Sequence, residues 1–176
     1  GGVTRGAVGL AGRVFPGGTV TADALGKCRS YVRSILATFE REVEELGFEV
    51  AVASSGTSET VARMVHAARD DTLLHTFNRF EFTSVELQGI IETLTKKRSS
   101  DNRNTVPGLD PTRADSIVAG ALVLEGVADT YHFKGFVFSE AGLREGVMLD
   151  PHARVQGAAP HHLSPLVRPS HGAYRA

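Results

Sequence analysis

The stretch GLDPTRADSIVAGALVLEGVADTYHFKGFVFSEAGLREGVMLD, residues 108–150, predicts a helix, a strand and the start of a second helix. Asp110 suits a helix N-cap because its carboxylate can accept from the first free backbone N–H groups, and Pro111 suits the position after it. Apolar residues follow at helical spacing: Ile117, Val118, Ala121, Leu124, Val127 and Ala128. Residues 133–138 predict a buried strand, and residues 139–144 turn it into another helix. A strand between helices is typical of an α/β fold.

Each of these two predicted helix starts carries an arginine, Arg113 and Arg144. A helix N-terminus has unpaired N–H donors and partial positive charge, so a cation there needs something negative nearby. The acidic neighbours are Asp110 and Asp115 for Arg113, and Glu140 and Glu145 for Arg144. A bound anion such as phosphate would serve equally well. Both arginines are therefore candidate anion ligands, with a local ion pair as the alternative.

Upstream residues continue the pattern of strands that lead into helices. Thr21 is a predicted N-cap of a long helix that ends at Gly47, and Thr83 with Glu86 has the spacing of a capping box. The other predicted segments are a strand running into a helical turn over residues 6–15, strands at 48–53 and 77–82, and a loop at 99–107. The sequence thus predicts an α/β domain.

Ser54, Ser55, Gly56 and Thr57 lie between a predicted strand and a predicted helix. Open α/β sheets bind ligands beyond the carboxyl ends of their strands, where loop N–H groups and helix N-termini converge. Gly56 would let the backbone approach a phosphate, and the hydroxyls add donors. The competing interpretation is that these serines and this threonine only cap the helix.

Composition excludes several classes of protein. A formal net charge of −1 gives no electrostatic case for nucleic-acid or membrane binding. The single cysteine, Cys28, excludes an internal disulfide framework, and its side chain is expected in the core. A protein without disulfides is expected in the reducing cytoplasm. Residues 151–176, rich in proline and histidine without any acidic residue, are expected to form a disordered tail after a domain at 1–150.

Four motifs resemble the exopolyphosphatase/guanosine pentaphosphate phosphohydrolase (Ppx/GppA phosphatase) family. In chain order they are GAVGLAGR at 6–13, VASSGTSETVARM at 52–64, DPTRAD at 110–115 with the AG at 119–120, and GLREG at 142–146 followed by Asp150. The first motif in the chain is similar to the family's GAVRLTERF, but Gly9 and Gly12 replace its arginine and glutamate. All four occur in the family's order.

The resemblance implies a ribonuclease-H-like domain of the actin-like ATPase superfamily, incomplete at its N-terminus. It implies hydrolysis of terminal phosphate from polyphosphate or guanosine pentaphosphate (pppGpp) with Mg²⁺. It places Ser54, Ser55, Gly56, Thr57, Arg113 and Arg144 at the substrate's phosphates. The family's catalytic glutamate and glycine-rich metal loops belong to a first domain without a counterpart in this sequence. The isolated chain is therefore expected to be inactive, because it has no catalytic or metal-binding residue of its own. Activity is expected to need an N-terminal domain. A homodimer is a further option.

Two other functions stay open from the sequence. One is a non-catalytic module that binds a nucleotide alarmone, and the other is a small-molecule kinase of the same actin-like superfamily. DPTRAD and GLREG argue against the kinase.

Overall fold

A computed structural model of the chain describes residues 6–70 and 74–141. These residues form seven α-helices and three strands. The helices are α1 Ala7–Val14, α2 Ala22–Leu36, α3 Glu40–Leu46, α4 Gly56–Arg69, α5 Ser84–Lys96, α6 Ser100–Arg103 and α7 Ile117–Tyr131. The strands are β1 Val52–Ala53, β2 Glu81–Thr83 and β3 Gly135–Phe138. Two 3-10 turns, Pro16–Gly18 and Pro111–Arg113, complete the elements.

The three described strands form one mixed sheet in the order β1-β3-β2. β3 pairs in parallel with β1, so that Val52 faces Val137, and antiparallel with β2, so that Phe82 faces Phe136. Phe82, Phe136 and Phe138 are almost fully buried, which places the sheet at one side of the hydrophobic core. The α/β class predicted from the sequence is confirmed.

Helix α7 is the centre of the helical layer. It contacts α1, α2, α4 and α5, and all its residues from Ile117 to Leu122 are buried. A helix that is apolar on nearly every side can be stable only inside such a cage of other helices. The core therefore lies between α7 and its neighbours, and continues to the sheet.

Several local predictions are confirmed. The Thr21 hydroxyl caps α2 by accepting from the N–H of Ala24. Thr83 and Glu86 form a complete capping box at the start of α5. Cys28 is fully buried, and burial raises the pKa of its thiol to about 11, so it is a core residue.

The strand predicted within residues 6–15 is wrong, because α1 occupies most of that segment. Leu10 and Ala11 are buried while Val8 is 73% exposed, which is a helical and not an alternating pattern. Packing of α1 against α7 decides the conformation despite two glycines in the helix.

The single long helix predicted from residue 22 to Gly47 is broken between α2 and α3. The Thr38 hydroxyl donates to the Ile35 carbonyl at 2.6 Å, and the backbone N–H of Thr38 donates to the same carbonyl at 3.2 Å. These bonds tighten the last turn and end α2, as threonine often does when its side chain competes for helical carbonyls. Gly47 does end α3, with φ of 66°.

Two further predictions need correction. The loop predicted at 99–107 contains α6, which the Ser99 hydroxyl caps by accepting from the N–H of Asn102. Asp110 caps the short turn Pro111–Arg113 and not a long helix, since α7 begins only at Ile117. The helix predicted from residue 139 to Arg144 lies mostly outside the described residues, as does the predicted tail. In the part of the chain that the structure describes, every helix is too short or too polar to traverse a bilayer.

Candidate functional site

The start of α4 forms the centre of the candidate site. Ser55 is the N-cap residue, and its Oγ accepts from the backbone N–H of Ser58 at 3.1 Å. The same Oγ lies 3.1 Å from the Ser58 Oγ. The interpretation that a serine caps this helix is therefore confirmed for Ser55, whereas the Ser54 side chain is exposed directly before it.

The first two backbone N–H groups of α4 have no acceptor among the described residues. They belong to Gly56 and Thr57, while the next two, of Ser58 and Glu59, are bound to Ser55 Oγ and to the Ser55 carbonyl. Unpaired donors at the end of a 14-residue helix carry partial positive charge. The helix thus presents donors suited to an anion at its N-terminus.

Arg113 lies directly over this N-terminus. A side chain at Gly56 would collide with the Arg113 guanidinium, since a Cβ there would lie 2.8 Å from Nη1 and closer still to Nη2 and Cζ. The Arg113 side chain is 37% exposed, so part of it is accessible to solvent. The tertiary structure has therefore joined two features that are more than fifty residues apart in sequence.

Arg113 also has the local partner that was the alternative to a ligand. Its Nε lies 3.5 Å from Asp110 Oδ2. Hydrogen bonds from the Thr112 hydroxyl and backbone N–H are the main reason why the pKa of Asp110 lies below its ordinary value, and the charges of Arg113 and Arg63 contribute less. The ion pair thus orients Arg113 through Nε, while the terminal nitrogens remain at Gly56.

Gly120 brings α7 close to α4 behind the same loop. A Cβ at Gly120 would lie 2.9 Å from Thr57 Oγ1 and 3.2 Å from Ala7 Cβ, nearer than ordinary contacts. A larger residue would displace the start of α4. The sequence signal for this role was the AG pair in the family motif, but no site role was predicted for Gly120.

Arg103 is a second residue whose role the sequence analysis missed. Its side chain is fully buried and donates to four backbone carbonyls: Ala114 at 2.8 Å, Gly18 at 2.6 Å, Lys97 at 3.1 Å and Arg98 at 3.3 Å. Burial lowers its pKa, and the charge of Asp115 partly opposes this. Because Ala114 follows Arg113 directly, Arg103 anchors the turn that holds Arg113 over Gly56. The role of Arg103 follows from a buried loop whose carbonyls need donors, and the sequence does not show which loops will be buried.

Arg144, the other predicted arginine, lies outside the described residues. For the implied Mg²⁺, the described residues offer no cluster of three or more acidic, histidine or cysteine side chains. Asp110, the acidic residue beside Arg113, accepts from Thr112 and pairs with Arg113. The described part of the chain supplies anion donors without a metal centre.

Comparisons with known proteins agree with this architecture. A Haemophilus influenzae protein described as a candidate exopolyphosphatase is 27% identical over 143 residues, which cover 81% of this chain and 42% of that protein. A crystal structure of an exopolyphosphatase from Cytophaga hutchinsonii has a TM-score of 0.71 at 18% identity, and covers 88% of this chain and 48% of the other. An Aquifex aeolicus Ppx/GppA protein has a TM-score of 0.67 at 18% identity, with 85% and 47% covered.

The chain therefore spans less than half the length of these relatives. The model of the Ppx/GppA phosphatase family matches residues 3–154, which is most of the chain. That match includes the α4 N-terminus, Arg113 and Gly120. By this match, the chain belongs to the Ppx/GppA phosphatase family.

Proposed function

We propose that this chain is the phosphate-binding domain of a hydrolase that releases terminal phosphate from inorganic polyphosphate or guanosine pentaphosphate. The observation that supports this most directly is the Arg113 guanidinium lying against Gly56 beside the free N–H groups of α4. A guanidinium and a helix N-terminus at one point are complementary to a phosphate oxygen. In this proposal Ser54, Ser55, Gly56, Thr57 and Arg113 face the substrate, with Arg144 as a second arginine.

The proposal assigns each group a role by position. The N–H groups of Gly56 and Thr57 donate to phosphate oxygens, and the Thr57 and Ser54 hydroxyls add further donors. Ser55 acts mainly through its backbone position, because its hydroxyl is engaged by Ser58. Arg113 supplies charge, and Asp110 keeps its guanidinium oriented.

Turnover is proposed to need a second domain. Phosphoryl transfer relies on positioning and on electrostatic stabilisation of the transferred group, usually with a metal ion and a group that activates water. The described residues hold no cluster of acidic, histidine or cysteine side chains for a metal ion. In this proposal Mg²⁺ would be held by residues outside the described part of the chain.

The proposal also places the chain in the ribonuclease-H-like fold of the actin-like superfamily and in the cytoplasm. The parallel β1–β3 pair with helices packed around it supports that fold. The buried, lone cysteine is in keeping with a reducing compartment.

Binding of tripolyphosphate, measured by isothermal titration calorimetry, tests the proposed site. We expect Arg113→Gln to weaken binding about 10- to 100-fold, which corresponds to loss of one or two charge-assisted hydrogen bonds. The control is Arg98→Gln, an exposed arginine just after the end of α5, with less than a twofold effect. Equal affinity of Arg113→Gln and the control variant would contradict the proposed site.

Phosphate release tests the need for a second domain. The 176-residue chain alone is expected to release no phosphate from polyphosphate or pppGpp above the uncatalysed rate. Binding without turnover would support the proposal. Turnover by the isolated chain close to that of a complete family member would contradict it.

A further inference from the structure

A cavity of about 410 Å³ lies between α1, α2 and α7, beside the start of α4. Aliphatic side chains form most of its wall: Leu10, Val32, Ile35, Leu36, Val123 and Leu124. Cavities of this size and mostly apolar character are typical of small-molecule sites. Ser55 and Thr57 belong both to this lining and to the proposed phosphate site, but the apolar wall offers no donors to a phosphate.

The cavity depends on a feature of this particular chain. Gly9 lines it from α1, at a position where the family pattern GAVRLTERF has an arginine. Glycine in the interior of a helix costs roughly 1 kcal/mol relative to alanine, so its presence here is not explained by helix stability. Glycine has no side chain to occupy this part of the cavity.

Two of the polar residues in the lining are already paired with each other. Ser55 and Ser58 line the cavity, but their hydroxyls lie 3.1 Å from each other, and Ser55 Oγ also caps α4. A nucleobase carries several hydrogen-bonding groups on its edge, and burying them against hydrocarbon would leave them unsatisfied. The wall therefore favours an aliphatic occupant.

Arg13 gives the cavity one charged group. Its guanidinium lies 4.9 Å from the centre of the Tyr31 ring, and both residues line the cavity. Within residues 6–70 and 74–141, Arg13 forms no ion pair. A guanidinium stacked on an aromatic ring keeps its edge nitrogens free, and their planar fork matches a carboxylate.

We propose that this cavity binds an aliphatic carboxylate, with the hydrocarbon chain between α1, α2 and α7 and the carboxylate on Arg13. The inference goes beyond the proposed function, because it requires no phosphate at Gly56. The ligand's chain would lie against Thr57, so the cavity and the α4 N-terminus share a wall.

Calorimetric titration of the full chain with octanoate and decanoate tests the site. Decanoate is expected to bind about fifteenfold more tightly, since each buried methylene contributes about fourfold in affinity. Arg13→Gln should weaken decanoate binding at least tenfold. The matched control is Arg33→Gln on α2, an exposed arginine outside the cavity lining, which should leave the affinity unchanged within twofold.

A second pair of variants tests the cavity itself. Gly9→Leu places an isobutyl side chain at the cavity wall, where it takes space from the decanoate chain and should weaken binding about tenfold or more. Gly12→Leu adds the same side chain to the same helix where a Cβ meets open space, so it should retain binding. Both changes favour helix formation, and thermal unfolding checks that each variant folds.

The proposal is overturned if the wild-type chain does not bind decanoate, or if Arg13→Gln behaves like Arg33→Gln. Equal binding by both glycine variants would also overturn it, as would a dimer in sedimentation whose formation excludes decanoate. Tripolyphosphate binding is measured separately with Arg113→Gln, so failure of this site and failure of the proposed phosphate site are distinguishable.

Discussion

Replacing Arg103 by methionine should strongly destabilise the chain, although the residue lies in a short segment predicted as a loop. The side chain is fully buried, and its nitrogens donate to the carbonyls of Gly18, Ala114, Lys97 and Arg98 at 2.6–3.3 Å. Methionine fills a comparable space but donates nothing. The carbonyls would then be left with fewer partners.

The expected loss in free energy of unfolding is about 3–5 kcal/mol. Each buried acceptor left unsatisfied costs roughly 1–3 kcal/mol. A simple sum over the carbonyls is an upper limit, because the loop can relax and admit water. A loss of about 3–5 kcal/mol corresponds to roughly two of these carbonyls left without a replacement partner, and is a large part of the roughly 5–15 kcal/mol typical of a domain.

Urea denaturation followed by circular dichroism measures this loss. Arg103→Lys keeps the charge but cannot reach all the carbonyls, so it should lose about 2–3 kcal/mol. Arg98→Met is the matched control, because the Arg98 side chain is exposed, and its effect should stay within about 0.5 kcal/mol. A loss of less than about 1 kcal/mol for Arg103→Met would refute the reasoning, because the carbonyls would then not depend on the guanidinium.

Two further predictions concern stability. A hydrogen bond from Arg69 holds the pKa of Glu86 down to about 2. Glu86 therefore stabilises the folded chain above its unfolded pKa of about 4.3, and this contribution disappears as pH falls toward 2. Because the Glu86 side chain is 30% exposed, Glu86→Gln should cost about 1–2 kcal/mol at pH 7 and almost nothing near pH 2 in urea denaturation. Gly108→Ala should lower the free energy of unfolding by about 2–4 kcal/mol, since Gly108 has φ of 81° and a Cβ would lie 2.5 Å from the carbonyl oxygen of Arg63. Gly89→Ala, on α5 where a Cβ meets open space, should instead raise it by about 0.5–1 kcal/mol.

Each of these predictions has a result that would contradict it. For Glu86, the control is Glu92→Gln, an exposed residue on the same helix, and a pH-independent difference between Glu86→Gln and wild type would rule out the ion pair as its cause. For the glycines, equal effects of the two alanine substitutions would show that backbone conformation and close contact do not decide their roles.

Local patterns were sufficient to predict the caps of two helices. Thr21 at α2 and the Thr83–Glu86 capping box involve residues three positions apart, so the sequence contains both partners. The same holds for the strand at β3, whose apolar run is buried on both faces, and for Asp110, whose carboxylate binds Thr112 two residues later. Short-range hydrogen bonds and apolar periodicity depend little on the rest of the fold.

The errors have the opposite character. The segment of α1 was predicted as a strand running into a helical turn, because the stability of the helix comes from contact with α7 more than a hundred residues away. Arg103 and Gly120 were missed as site residues for the same reason. Their roles depend on the Gly18 carbonyl and on Thr57, which no local pattern connects to them.

The candidate site likewise combines local features with contacts between distant segments. The sequence alone determined the chemistry of the site, because a strand–loop–helix segment with Gly56 and an arginine beside a helix start are local features. Only the tertiary structure decided that Arg113 lies on Gly56, and that Gly9 lines a cavity between α1, α2 and α7. The physical reason is that close packing joins distant segments through many weak contacts, whose partners cannot be chosen from either segment by itself.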